Sequence, residues 1–412
     1  REKKERGKNN EYAGHRIDRR RVSVLILGAI LGIAVPQATG IAILGDVFVS
    51  ALKAIAPLLV FFLVVSSLCN AGKSHGGVIK TVIILYMFST VLAAVIAVFA
   101  SMAFPVKMTL ANAATDTSAP QGIVEVLNNL LLNVVANPVS SLVNANYVGI
   151  LMWAVLLGLA FRAADKMTKK VLADVADGIS MVVTWIINLA PFGIFGLVFN
   201  TVSTNGLDIF TTYGKLLLLL VGCMLFIYFV TNPLLVYWCI RQNPYPLIFH
   251  CLKRSALTAF FTRSSAANIP VNMKVCEEMG LDRDTYSVTI PLGATINMDG
   301  AAITITVMTM ATAFTLGIHV DIPTAIILSL LAALSACGAS GVAGGSLLLI
   351  PMACSLFGIS DDISMQVVAV GFIIGVVQDS VETALNSSSD LLLSASAEFR
   401  QWRLEGKEIK FK

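Results

Sequence analysis

Apolar stretches long enough to cross a lipid bilayer begin near Val22, Val47, Val78, Tyr147, Val171, Lys215, Thr285 and Met365. About 20 apolar residues in a helix span the hydrocarbon core. Lipid offers the backbone no hydrogen-bond partner, so runs of this length fold as helices, whose bonds are internal. Only 13% of the 412 residues are Asp, Glu, Lys or Arg and 56% are hydrophobic, against about 25% charged in a soluble domain. The expected fold class is an all-α integral membrane protein, with eight spans and some shorter apolar pieces.

Charge placement predicts topology. The first 21 residues, REKKERGKNNEYAGHRIDRRR, carry nine Lys/Arg and lead directly into an apolar run; they read as a cytoplasmic basic tail rather than a removable signal peptide. Lys73 and Lys80 follow the second span, Arg162, Lys166, Lys169 and Lys170 the fourth, and Arg241, Lys253 and Arg254 the sixth, while the chain closes on the basic FRQWRLEGKEIKFK. The opposite connections hold Lys107 and Lys215 among Asn, Thr, Asp and Ser. Basic residues on every second connection predict both termini in the cytoplasm. They imply no nucleic-acid partner. The seven cysteines form no CxxC pair and the four histidines are scattered, so neither a disulfide frame nor a His/Cys metal site is expected. "NAGKS" at 70–74 resembles the end of a phosphate-binding loop, but the required first Gly falls at Ser67; no nucleotide is implied.

Two segments do not read as simple spans. From Ile322 to Ser360 there are 39 residues without a charge, interrupted by ACGASGVAGGS at 336–346. Each glycine weakens a helix by about 1 kcal/mol, and unwound backbone at membrane depth survives only against protein or a water-filled cavity. The expectation is two half-helices meeting at a re-entrant tip; a seam of small residues between packed helices is the alternative. The second segment, SALTAFFTRSSAANIPVNM at 255–273, is too short and polar to cross and lies between Lys253/Arg254 and Lys274. Its basic flanks place both ends in the cytoplasm, so it dips in from the other face; a cytoplasmic amphipathic loop is the alternative. Hairpin-span, hairpin-span with opposite entry sides is the pattern of an inverted repeat.

The span after each hairpin carries acids. Between Asp284 and Asp321 the only charged residue is Asp299, in GATINMDGAAI, with Asn297 and Gly300 marking a possible helix break. In the last span Asp379, Glu382, Thr383, Asn386 and Asp390 fall at offsets 0, 3, 4, 7 and 11, which is one face at about 3.6 residues per turn. A carboxylate at mid-bilayer costs about 2.5–3.5 kcal/mol even on lenient insertion scales, so positive charge must be supplied. Arg263 is too little for all of them. A bound cation and a substrate ammonium would balance the acids, and carboxylate, amide and carbonyl oxygens suit a hard cation. Acids that share a proton are the alternative.

TRSSAANIPV, PLGATINMDG and DSVETALNSSSD, in that order, resemble the motifs of the dicarboxylate/amino acid:cation symporter family, over nearly the whole chain from Val22 to about Ala397. The resemblance implies eight transmembrane helices, two re-entrant hairpins, inverted repeats, a homotrimer in a bacterial cytoplasmic membrane, and the elevator fold of glutamate-transporter homologues. On that plan 22–77 and 105–206 are scaffold, and 78–104 and 207–400 are transport domain. The hairpins fall at about 247–275 and 322–356, and 401–412 forms a second cytoplasmic tail.

Sodium is implied as the coupling ion, with no organic cofactor. One sodium site resembles Gly293, Asn297, Asn386 and Asp390; a second Thr295, Ala336, Cys337 and Ala339; a third Asp299 and Asn297 with Tyr86, Ser89 and Thr90. The implied substrate residues are Ser264, Ser265, Gly341, Val342, Asp379, Glu382, Thr383 and Asn386, with Asp379 holding the α-ammonium and Asn386 the α-carboxylate.

Two positions depart from the family pattern. Where its aspartate and glutamate carriers have an Arg for a side-chain carboxylate, this chain has Glu382, and Ala301 replaces a Thr. Glu382 would repel a dicarboxylate and accept from a hydroxyl, so the expected function is sodium-coupled import of small neutral hydroxy amino acids, L-serine and L-threonine. The alternatives are a proton-coupled or dicarboxylate carrier of the same fold, a passive channel, an intramembrane aspartyl protease on Asp299 and Asp379, or purely structural acids.

Overall fold

The computed structural model describes residues 24, 26–70, 77–110, 132, 135–144, 146–206, 208–337 and 344–409. Every regular element among them is helical. Helix α1 covers residues 26–34, followed by α2 (Ala42–Asn70), α3 (Gly77–Ala103), α4 (Pro138–Val143), α5 (Tyr147–Ala160), α6 (Lys166–Asn188), α7 (Ala190–Asn205) and α8 (Asp208–Phe226). Then come α9 (Asn232–Ile240), α10 (Tyr245–Cys251), α11 (Leu257–Thr262), α12 (Ser265–Glu278), α13 (Arg283–Ile296), α14 (Asp299–Thr315), α15 (Ile322–Ala336), α16 (Ile350–Ser355) and α17 (Asp361–Leu404).

Among the described residues six helical stretches are long and apolar enough to cross a membrane: Thr39–Asn70, Gly77–Ala103, Lys166–Asn188, Thr211–Ile240, Arg283–Thr315 and Asp361–Leu404. The run from Tyr147 is shorter than the span expected of it. Asn146 caps α5 by accepting from Gly149 N at 3.3 Å, and the helix tightens into a 3-10 turn at Phe161–Ala163. Asp165 then starts α6 by accepting from Thr168 N at 2.7 Å. Residues 190–205, not separately foreseen, form their own helix with Pro191 in its first turn, where a missing N–H costs nothing.

Helix α2 packs on α5, α6 and α7. Its crossing with α7 is close enough that a Cβ on Gly196 would lie 2.4 Å from Gly45 N, so small residues bring two membrane helices to backbone contact. A second group surrounds α17: helices α3, α8, α9 and α11 to α14 all pack on it, and α14 packs on α3 and α15.

Three interruptions position the site. Between α8 and α9 the helix widens into a π turn at Ile227–Thr231, immediately before Asn232–Pro233; proline lacks an N–H and its ring crowds the carbonyl one turn earlier, which an extra residue in the turn relieves. Between α13 and α14 the chain leaves the helix at Asn297 (φ −97°, ψ 80°) and Met298 (φ −119°, ψ 51°). Between α11 and α12 it reverses at Arg263, held at φ 49°.

The helix-turn-helix over residues 245–278 lies against α17 through a buried amide cluster. Asn268 Nδ2 donates to Ser387 Oγ at 2.8 Å and Ser255 Oγ at 2.9 Å, and Asn272 Nδ2 donates to Ser387 O at 2.8 Å. A second reversal is marked at Gly344, which adopts φ 73° and opens a 3-10 turn at Gly345–Leu349 that leads into α16.

Candidate functional site

The polar face of α17 turns inward. Asp379, Glu382 and Thr383 are each 6% exposed, Asn386 3% and Asp390 1%. The break between α13 and α14, helix α3 and both chain reversals face this stripe.

Helix α3 and the break build the deeper part. Asp299 is fully buried and stands first in α14, where unpaired N–H groups favour a negative side chain. Ser89 Oγ donates to its Oδ2 at 2.7 Å and Thr90 Oγ1 to its Oδ1 at 3.1 Å. Asn297 Nδ2 donates to Asp390 Oδ1 at 2.9 Å, Ser389 Oγ at 2.8 Å and Asn386 O at 3.4 Å. Its own Oδ1 is buried and has no hydrogen-bond partner among the described residues. Gly293 lies against Asp390 so closely that a Cβ would meet Asp390 Oδ1 at 2.8 Å and the Tyr86 hydroxyl at 2.9 Å.

Gly293, Asn297, Asn386 and Asp390 therefore form one cluster, and Asp299, Ser89 and Thr90 an adjacent one. Tyr86 sits differently from the expected grouping: its hydroxyl donates to Asp390 O at 2.8 Å and Thr289 O at 3.3 Å, and reaches the Asp390 side of the cluster. The last carbonyls of α13 lack the next turn's donors and form the negative end of its dipole. Carboxylates, these carbonyls and an amide oxygen without a donor make a set that fits a hard cation. Thr295 belongs to this end of α13, and Cys337, next to Ala336 at the end of α15, places its Sγ 3.7 Å from Ile296 O. Ala339, Gly341 and Val342 lie outside the described residues.

The shallower part lies between the two reversals. Gly344 N donates to Asp379 Oδ1 at 3.2 Å, and Arg263 Nε lies 3.9 Å from Asp379 Oδ2. Asp379 thus faces both turns at once. Ser264 caps α12 by accepting from Ala267 N at 3.2 Å, and Ser265 beside it is buried. Asn386 is held from the break: its Oδ1 accepts from Gly300 N at 2.7 Å and its Nδ2 lies 3.5 Å from Met298 Sδ.

Glu382 is gripped by three neutral donors. Thr304 Oγ1, Ser346 Oγ and Gln378 Nε2 all donate to its Oε2, at 2.7, 2.9 and 2.5 Å. Gln378 Nε2 lies also 2.8 Å from Thr304 Oγ1.

Sequence reasoning missed Thr304, Ser346, Gln378 and Ser389, and also Asn232, fully buried with its Oδ1 3.5 Å from Ser89 Oγ. An Asn-Pro pair inside an apolar span was the available signal for Asn232; the others are ordinary polar residues whose partners come from distant elements.

The sodium:dicarboxylate symporter family matches residues 20–398. A protein of Bifidobacterium adolescentis named serine/threonine transporter SstT is 57% identical over 405 residues, covering 98% of this chain and 94% of the relative. Proteins of the same name from Streptococcus thermophilus (56% over 380 residues, 92% of this chain and 94% of the relative) and Streptococcus agalactiae (58% over 375 residues, 91% and 93%) are similar to it as well. With its membrane-length helices and a family match over most of its length, the chain belongs to the sodium:dicarboxylate symporter family.

Proposed function

We propose that the protein is a sodium-coupled symporter that imports small neutral hydroxy amino acids, L-serine and L-threonine. The observation that carries this reading is Glu382, a buried carboxyl one turn from Asp379, held by neutral donors and, among the described residues, with no cation among its hydrogen-bond partners. A substrate with a second carboxylate would meet a like charge there, a cost of several kcal/mol. A hydroxyl would meet an acceptor. Asp379 takes the substrate ammonium, and Ser264, Ser265 and the second reversal, with Thr383 and Asn386 between them, take the rest of the amino acid. The names of the similar proteins point the same way.

Sodium is the cargo that neutralises the deeper acids, with Asp390, Asn297, Asn386 and Gly293 around one ion, Asp299, Ser89 and Thr90 around another, and Thr295, Ala336 and Cys337 beside a third. The unpartnered Asn297 Oδ1 supports a metal cation over a proton, because an amide oxygen coordinates the first and gains little from the second. The full plan has eight crossings, two re-entrant hairpins, one turning near Arg263 and one before Gly344, both termini in the cytoplasm and a homotrimer in which the group around α17 moves as an elevator against α2, α5, α6 and α7. Helix α2 packs mainly on α5, α6 and α7 and only lightly on α17, which supports that division.

Equilibrium binding of labelled L-serine to the detergent-solubilised protein, in sodium and in matched potassium, tests this reading. Binding that tightens with sodium, and sodium binding that tightens with serine by the same factor, is the reciprocal linkage expected. Serine binding indifferent to sodium would refute it.

A further inference from the structure

We infer that Thr304, Gln378 and Ser346 are specificity-positioning residues: they form a cradle that fixes Glu382 so that its other oxygen, Oε1, is presented to the substrate hydroxyl. The inference rests on the proposed hydroxy-amino-acid function and adds to it three residues, Gln378 from α17 itself, Thr304 from α14 and Ser346 from the turn at Gly345–Leu349.

The geometry of the cradle is one-sided. All three donors converge on Oε2, and among the described residues none reaches Oε1. A carboxyl group has acceptor sites on both oxygens. A ring that served only to satisfy a buried acid would be expected to serve both. Here one oxygen carries the structural bonds and the other is left for a ligand.

The cradle is also rigidly mounted. Thr304 is fully buried, one turn beyond Gly300 on α14, and Gln378 is fully buried, one turn before Glu382 on α17. Gln378 Nε2 lies within hydrogen-bond distance of both Thr304 Oγ1 and Glu382 Oε2, so the three side chains constrain each other. Gly300 completes the wall, since a Cβ there would lie 2.9 Å from Glu382 Cγ. Locking a recognition group by its neighbours gives specificity because less freedom is lost when the ligand binds.

Ser346 adds a link to the second reversal. It stands on the turn Gly345–Leu349, directly after Gly344, whose N–H donates to Asp379. The same short segment therefore touches both carboxyl groups of the shallower site, and the cradle is complete only with that segment docked. A substrate hydroxyl on Oε1 and a docked Ser346 on Oε2 are read by one carboxyl group.

The test is the KM and turnover of sodium-driven L-serine uptake in proteoliposomes for wild type, Thr304→Val, Gln378→Leu, Ser346→Ala and Thr304→Ser, with L-alanine as unlabelled competitor. Loss of one donor to the recognising carboxyl is expected to raise the serine KM about tenfold in the first three variants, with turnover and apparent alanine affinity within about twofold of wild type. Thr304→Ser, which keeps the hydroxyl, is expected to match wild type. If Thr304→Val does not accumulate in the membrane, Gln378→Leu and Ser346→Ala carry the same test. Equal losses for serine and alanine, or an unchanged serine KM in the folded variants, would overturn the cradle. A wild type that takes up no serine with sodium would instead refute the proposed function itself.

Discussion

The side-chain amide of Asn297 donates to Asp390 Oδ1 at 2.9 Å, tying the unwound turn between α13 and α14 to a carboxyl group 93 positions later on α17. This bond fixes the amide so that its oxygen faces away from Asp390, without a donor among the described residues. A buried acceptor with no donor costs about 1–3 kcal/mol; the sodium ion proposed beside it would recover that cost and balance the carboxyl groups.

Asp390→Asn keeps the size of the side chain and removes its charge. It is expected to raise the sodium concentration for half-maximal serine uptake by on the order of tenfold, the loss of a charge-assisted contact. A sodium titration of uptake checks this, and an unchanged sodium requirement would remove Asp390 from the ion site.

Glu382→Arg reverses the charge that disfavours dicarboxylates. Serine uptake is expected to fall, and L-aspartate, which should not compete in the wild type, is expected to become a competitor. Competition assays with both amino acids decide it; intact serine uptake in the variant would contradict the specificity argument.

Gly300→Ala should abolish most serine uptake without removing the protein from the membrane. The new Cβ would lie 3.0 Å from the Glu382 backbone oxygen as well as 2.9 Å from Cγ, and backbone at the centre of α17 has little room to yield. Uptake normalised to the amount of protein in the membrane is the measurement. Wild-type uptake would mean that α14 and α17 separate more easily than their packing implies.

Asp321 caps α15 from outside the helix, accepting from Thr324 N at 3.0 Å. A hydrogen bond with the Thr324 side chain, helped by this backbone one, holds its carboxyl below the usual carboxylate range. A depressed folded-state pKa contributes stability that is present above the ordinary value of about 3.9 and lost as pH falls through the folded value. Lowering the pH through that acid range should therefore increase hydrogen exchange at the start of α15 in the wild type, while Asp321→Asn, still able to cap, should lose this pH dependence. An identical pH profile in the two proteins would contradict the capping role.

Much of this arrangement was legible in the sequence because it is periodic or local. The spacing of Asp379, Glu382, Thr383, Asn386 and Asp390 places them on one helical face whatever the neighbours do, and all five are buried on α17. Asn297 and Gly300 around Asp299 announced the break, and the charged, Pro-containing segment around Arg263 announced a reversal. What was not legible depends on tertiary placement. Thr304 and Ser346 lie 78 and 36 positions from Glu382, and nothing in their local sequence marks them as its partners. Tyr86 shares a helix with Ser89 and Thr90 but reaches the Asp390 carbonyl, a choice set by how α3 crosses α17. The early end of α5 and the separate α7 followed from caps and a proline inside apolar runs that hydropathy alone reads as continuous.

On the proposed function, the acids of α17 and α14 serve sodium and a neutral hydroxy amino acid together. Uptake of labelled L-serine into proteoliposomes tests it most directly, with an inward sodium gradient against a matched potassium control and excess unlabelled L-aspartate as competitor. Uptake that requires sodium and is indifferent to aspartate is the predicted result. Uptake that proceeds equally in potassium, or that aspartate blocks, would contradict it.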